Sequence, residues 1–162
     1  YVIDSGIEIF SYYDPQIKSR VLDRQFITQA QAKQRMGRCG RTKPGTCYHL
    51  YTKEDFENNM IKFPLPTIRT SNISGECLQL LNLDQINDII NLNKILNKFI
   101  EPPDKLYTQD AIVQLQQYDL IENDQITKLG KIIAKTQLDI NYGLMAYAGY
   151  KLFCLNIRQL IH

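Results

Sequence analysis

The run Phe63-Pro64-Leu65-Pro66 limits what this chain can fold into more than any other stretch. Two prolines so close can neither continue a helix nor pair inside a sheet, because each lacks an N–H and fixes its own φ. The chain is therefore expected to change character there. Upstream, Tyr1-Val2-Ile3 reads as a short buried strand ending at Asp4-Ser5-Gly6. Ile7 and Ile9 alternate with polar residues, Asp14-Pro15 marks a turn, and Val21, Leu22, Phe26 and Ile27 supply a returning strand. That pattern predicts a hairpin projecting between two core elements. A helix is predicted from Thr28 or Gln29 through Cys39. After Gly45, the alternation of Cys47, His49 and Tyr51 predicts a strand over Thr46 to Tyr51.

Beyond the prolines, residues 67–135 read as mostly helical, although the asparagine-rich stretch Ile86 to Leu96 carries a weak helix signal. Tyr107, Ala111, Ile112, Leu115 and Tyr118 fall on one helical stripe. Leu120-Ile121, the polar turn Glu122-Asn123-Asp124 and Gln125-Ile126-Thr127 make a small hairpin, and Thr127 can cap a helix from Lys128 to Thr136. Helix, small wing, helix is the outline of a winged-helix domain. From residue 136 onward another helical layer begins, and Leu152 to His162 still reads as amphipathic helix without a stop signal. Tyr1 opens within a strand-like run, so the chain is expected to be an excised piece of a longer protein.

With 162 residues, the chain has room for one ordinary domain or two small ones. A hydrophobic share of 44% beside 22% charged residues excludes a disordered chain. A net charge of +2 does not by itself argue for a nucleic-acid partner. Its distribution does: Lys33, Arg35, Arg38, Arg41 and Lys43 form a segment with no acidic residue, a patch that attracts phosphates. Cys39, Cys47, Cys77 and Cys154 contain no CxxC pair and have only His49 and His162 to help, so no metal site is expected. They read as reduced, mostly buried thiols, which fits an intracellular protein and leaves disulfides open. No signal-peptide pattern is visible, and the apolar tail Gly143 to Leu155 is too short for a membrane span and carries Lys151.

The chemistry concentrates in Gln34-Arg35-Met36-Gly37-Arg38-Cys39-Gly40-Arg41. Within a continuous helix, Gln34, Arg38 and Arg41 share one face. Two guanidiniums there can fork onto a polyphosphate, and a glutamine one turn earlier can hold a water without titrating. Phosphoryl transfer to water needs those parts, and a positioned arginine is worth ~10³–10⁵ in rate. Arginines on helices are usually just solvated. Two glycines inside a helix, however, cost ~1 kcal/mol each against alanine, which argues that the segment is shaped for close approach to a partner.

These residues resemble motif VI of superfamily 2 helicases, with the pattern Q-R-x-G-R-x-G-R. The flanks are similar to the DEAH-box (DEAH/RHA) branch: Val2 to Gly6, Asp14-Pro15, Pro44 to Tyr48, Leu50-Tyr51-Thr52, Pro66, Ile68, Arg69, Leu78, Glu101-Pro102-Pro103, Thr127 to Gly130 and Leu138-Asp139. The likeness covers nearly the whole chain. Cys39 replaces the usual alanine, and Thr136-Gln137 replaces the usual Phe-Pro. The resemblance implies an α/β part followed by a mostly α part. Residues 1–66 would be the C-terminal part of a second RecA-like motor domain with a β-hairpin, 67–135 a winged-helix domain, and 136–162 the start of a truncated helical bundle.

It implies ATP with Mg2+ as cofactor. Gln34 would orient the hydrolytic water, while Arg38 and Arg41 reach the phosphates as arginine fingers and Arg35 anchors the helix or contacts other motor segments. Lys18, Arg20 and Arg24 on the hairpin would touch single-stranded or duplex nucleic acid, RNA being favoured, and the other partner would be the first RecA-like domain of the same polypeptide. The sequence contains no G-x-x-x-x-G-K-[ST] loop and no Asp-Glu-Ala-His box, so the Mg2+ ligands are expected outside it and the chain alone is expected to be inactive. A competing reading is a winged-helix DNA-binding module. Its recognition helix, Asp104 to Gln117, carries Asp110 and only Lys105, and its wing is acidic, which suits a packing adaptor better. A purely structural interaction domain leaves Gln34 to Arg41 unexplained.

Overall fold

The computed structural model describes residues 1–86 and 88–153. The predicted helical run to His162 and the Cys154 thiol lie partly or wholly outside these residues. The chain divides into two compact units, the first covering Tyr1–Ser71 and the second starting at Asn72.

In the first unit, β1 (Val2–Asp4) pairs in parallel with β4 (Cys47–His49), and β2 (Ile7–Asp14) pairs antiparallel with β3 (Ser19–Phe26). The hairpin register runs from Ile7 opposite Phe26 to Asp14 opposite Ser19. At its tip the Asp14 carboxylate accepts the Gln16 N–H at 2.8 Å, an Asx turn that closes the connection. The predicted hairpin is therefore present. Helix α1 (Gln29–Met36) begins in a capping box: the Thr28 hydroxyl accepts the Gln31 N–H, and the Gln31 side chain accepts the Thr28 N–H. Ile27, Ala32 and Met60 form the buried core, with Tyr51 and Phe56 packed against it. Phe56 belongs to a single wide helical turn, Asp55–Asn59, which the sequence pattern does not announce.

Two expectations need correction here. Helix α1 stops at Met36 rather than continuing through Cys39. Arg38 and Cys39 donate to Arg35 and Met36, bonds of the tighter i→i+3 kind, and Gly40 then turns the chain with φ +79°. The two glycines end the helix instead of being carried inside it. The strand after the turn is also shorter than Thr46 to Tyr51: the parallel ladder with β1 extends only over Cys47–His49.

The second unit contains α2 (Ser74–Leu81), α3 (Ile89–Leu96), α4 (Lys105–Gln117), the hairpin β5 (Ile121–Glu122) and β6 (Gln125–Ile126), α5 (Lys128–Thr136) and α6 (Ile140–Phe153). Helix α2 packs against α3, α4 and α5. Cys77, Leu78, Leu81, Leu92, Leu115, Leu120 and Ile133 are all buried. On α4 the predicted stripe turns inward at Ala111 and Leu115, whereas Tyr118 is exposed. The asparagine-rich stretch does form a helix, because the Asp88 carboxylate caps it by accepting the Asn91 N–H at 2.6 Å. Thr127 caps α5 as predicted, accepting the Gly130 N–H at 2.9 Å.

Helix α5 approaches the small hairpin through Gly130. A Cβ at that position would collide with the Leu120 carbonyl oxygen and come within 2.8 Å of the Ile126 side chain. Backbone cannot yield as a flexible side-chain tip can. Gly130→Ala should therefore destabilise the chain by ~1–3 kcal/mol despite its higher helix propensity, seen as a lower urea midpoint.

Candidate functional site

The residues singled out by sequence are organised by a carboxylate that sequence reasoning did not single out. Asp4 ends β1 with a fully buried side chain. One of its oxygens accepts the Gly6 N–H at 3.1 Å and the Arg35 guanidinium at 2.9 Å, and the other accepts the Tyr51 hydroxyl at 3.2 Å. Arg35 also donates to the Ile7 carbonyl at 3.3 and 3.4 Å. A single ion pair thus joins β1, the root of the hairpin, helix α1 and the segment leaving β4. Burial pushes the Asp4 carboxyl up, but the Gly6 N–H, the Arg35 guanidinium and the Tyr51 hydroxyl outweigh it and hold it below its ordinary 3.8. Burial, then the Asp4 charge, pushes the Tyr51 hydroxyl up to about 12. The signal that could have found Asp4 is chemical: a carboxylate at the end of a buried strand needs donors.

With Arg35 held inward, the three residues predicted to face phosphates sit outside. Gln34 is exposed on the last turn of α1, Arg38 is exposed in the tight turn that follows, and Arg41 is exposed just beyond Gly40. None makes a side-chain hydrogen bond or ion pair to any described residue. They are not sealed by carboxylates. Nor do they share a regular helical face, because the helix ends before Arg38. Their mutual placement depends on the tight turn and on the loop from Gly40 to Thr46. A mostly apolar hollow nearby is lined by Ala32, Met36, Tyr51 and Phe56, and none of the three contributes to it. Lys33, His49 and Lys53 also line it.

On the hairpin, Arg20 and Arg24 lie opposite Tyr13 and Ile9, so they share one face with Leu22 and Phe26. Both arginines are exposed, and Ile9 and Leu22 are 67% and 68% exposed beside them. Lys18 stands in the tip with φ +50°. Among the described residues no group of His, Cys, Asp or Glu could hold a metal ion, and no helix is long and apolar enough to cross a membrane.

The Asp4–Arg35 pair has a consequence for acid stability. Because the folded carboxyl titrates below the unfolded one, its stabilisation is complete above the unfolded value and is lost as pH falls through the lower folded value. Asp4→Asn should cost ~2 kcal/mol at neutral pH, a figure reduced for the partly exposed Arg35, and should flatten the loss of stability below about pH 4. Urea titrations of both chains from pH 7 to pH 3 would show this.

No family model matches the chain. Single relatives do. It is 36% identical to the DExH-box ATP-dependent RNA helicase DExH4 of Arabidopsis thaliana, over 96% of this chain and 11% of that protein. It is 33% identical to the pre-mRNA-splicing factor ATP-dependent RNA helicase prp22 of Schizosaccharomyces pombe, over 95% of this chain and 13% of that protein. The crystal structure of the E. coli DExH-box NTPase HrpB superposes with a TM-score of 0.73 at 26% identity, covering 89% of this chain and 17% of that one. The chain therefore spans only a small part of the proteins it matches. Over nearly its whole length, its homologues are DExH/DEAH-box ATP-dependent RNA helicases.

Proposed function

We propose that this chain is part of an ATP-dependent RNA helicase and supplies the arginine side of its ATP-hydrolysing site. The observation that carries this reading is the contrast among neighbours. Arg35 is committed to Asp4, while Gln34, Arg38 and Arg41 present unpaired polar groups to solvent. Unpaired guanidiniums just beyond an anchored helix end suit a triphosphate brought in by another part of the protein. In that arrangement Gln34 orients the attacking water by accepting a hydrogen bond from it. Arg38 and Arg41 take up charge on the γ-phosphoryl oxygens as the bond to the leaving phosphate breaks. ATP would arrive with Mg2+, and this chain offers donors rather than metal ligands.

The first RecA-like domain of the same polypeptide is the proposed source of the phosphate-loop lysine and the Mg2+ ligands. Residues 1–66 are then the end of the second RecA-like domain. The parallel pair β1–β4 supports this, since parallel strands are normally covered on both faces, whereas Ile3 and Tyr48 are 71% and 53% exposed. Residues 67–135, with their helix, two-residue strands and capped helix, are read as a winged helix, and 136–162 as the start of a helical bundle.

The hairpin face bearing Arg20 and Arg24 is the proposed nucleic-acid contact, with Lys18 at its tip. Its mixture of guanidiniums and exposed aliphatic residues suits a backbone contact that carries no sequence information. The acidic Asp124 and Glu122 on the small wing disfavour the alternative of a DNA-reading winged helix.

Two experiments test these roles in the full-length polypeptide. Arg41→Ala should lower kcat by about a thousandfold while KM for ATP moves far less, and the 162-residue chain alone should hydrolyse no ATP. An unchanged kcat removes Arg41 from the site. For the hairpin, Arg20→Ala and Arg24→Ala should each reduce the salt dependence of single-stranded RNA binding by about 0.7 in the slope of log K against log salt. A slope equal to that of the unmodified protein argues that neither arginine touches phosphate.

A further inference from the structure

We propose that Glu8 is a positioning residue for ATP hydrolysis: bonded to Gln31, it ties the nucleic-acid face of the hairpin to the helix that carries Gln34. This rests on the roles given above to the hairpin and to Gln34, and adds the connection between them. Glu8 is the second residue of β2, and its carboxylate is divided between two elements. One oxygen accepts the Gln25 side-chain amide of β3 at 3.3 Å, and the other accepts that of Gln31 on α1 at 2.7 Å. The Gln31 carbonyl oxygen is already committed to the Thr28 N–H at 2.7 Å, so its amide is held from both ends. A short bond onto a charged acceptor is the stronger kind.

Neighbouring residues of β2 thus grip both turns of α1. Glu8 holds Gln31 in the first turn, and the Ile7 carbonyl holds Arg35 at 3.3 and 3.4 Å in the last. Gln31 and Arg35 stand four residues apart, on one face of the helix, so the two grips act together. Held at both points, an eight-residue helix follows the hairpin root when that root shifts. At the other end, Gln25 adjoins Arg24, the proposed phosphate contact. A continuous path therefore runs from Arg24 through Gln25, Glu8 and Gln31 to the helix bearing Gln34. Glu8 touches no phosphate in this arrangement and acts through α1.

Substitution can cut this link and spare the helix cap. In Gln31→Glu the new carboxylate still accepts the Thr28 N–H, because glutamate serves a capping box as well as glutamine does. It has no proton to give Glu8, and it faces that side chain with like charge. Exchanging the two residues, Glu8→Gln with Gln31→Glu, turns the bond round. The amide at position 8 then donates to the carboxylate at position 31, and its carbonyl oxygen still accepts from Gln25. The net charge stays that of the unmodified chain.

In the full-length polypeptide, ATP turnover would be measured with and without a single-stranded RNA oligonucleotide, beside the affinity for that RNA. Gln31→Glu should keep the RNA-free turnover and the RNA affinity, while the increase in turnover caused by RNA falls about fivefold. Glu8→Ala, which leaves the cap of α1 untouched, should lose as much, and the exchanged pair should recover it. An equal fall in RNA-free turnover in both single variants would mark a merely structural role and overturn the link. So would full stimulation in either single variant, no recovery in the exchanged pair, or an unmodified protein whose turnover RNA leaves unchanged. If Arg24→Ala leaves the salt dependence of RNA binding unaltered, the hairpin reading is what failed. If Arg24→Ala shifts it while Gln31→Glu keeps full stimulation, only the link has failed.

Discussion

A single buried carboxylate holds the first unit in register. Asp4 has no exposure to water and would be costly as an isolated charge, so its place depends on Arg35, the Gly6 N–H and the Tyr51 hydroxyl meeting it together. Those partners come from three separate stretches of chain. Any shift of α1 along its axis would pull Arg35 away from both Asp4 and the Ile7 carbonyl. The rotation of the helix is fixed by the same contacts, and that rotation sends Gln34 outward. The surface chemistry of the arginine segment is therefore a by-product of where its one inward arginine is tied.

Local signals made much of the fold legible. The hairpin followed from the alternation at Ile7 and Ile9 and from Asp14-Pro15, because strand period and turn chemistry act over a few residues. Thr127 was readable as a cap for the same reason. The end of α1 is not legible in the sequence, because spacing at i, i+4 and i+7 looks helical whether or not the helix continues. Gly37 and Gly40 admit two readings, tolerated or terminating, and only the φ of +79° at Gly40 decides between them. The role of Asp4 is not legible locally, since its principal partner lies 31 residues away and no periodicity connects them.

Side-chain bonding settles the ambiguous helix in the second unit too. The stretch from Ile89 to Leu96 places asparagines among aliphatic residues, a composition that suits loops and helices alike. Asp88 tips the balance by satisfying one of the first free N–H groups, that of Asn91, while Leu92 and Leu96 are buried. The candidate site is a different case. Its residue types were legible from the sequence, but its geometry is not that of one helical face. Gln34 rides on regular helix, whereas Arg41 follows a left-handed glycine and depends on a loop for its position.

The parallel ladder also bears on how the chain assembles. The hairpin brings its strands together across a tip of four residues, but Val2 and Cys47 must find each other from roughly 45 positions apart. Closing so long a loop costs entropy before any of its hydrogen bonds form, so local elements gain structure ahead of it. The hairpin and α1 can thus condense early, with the ladder seating afterwards. When it seats, it brings Tyr51 to Asp4, so the nascent chain satisfies its buried carboxylate in full only at the last step.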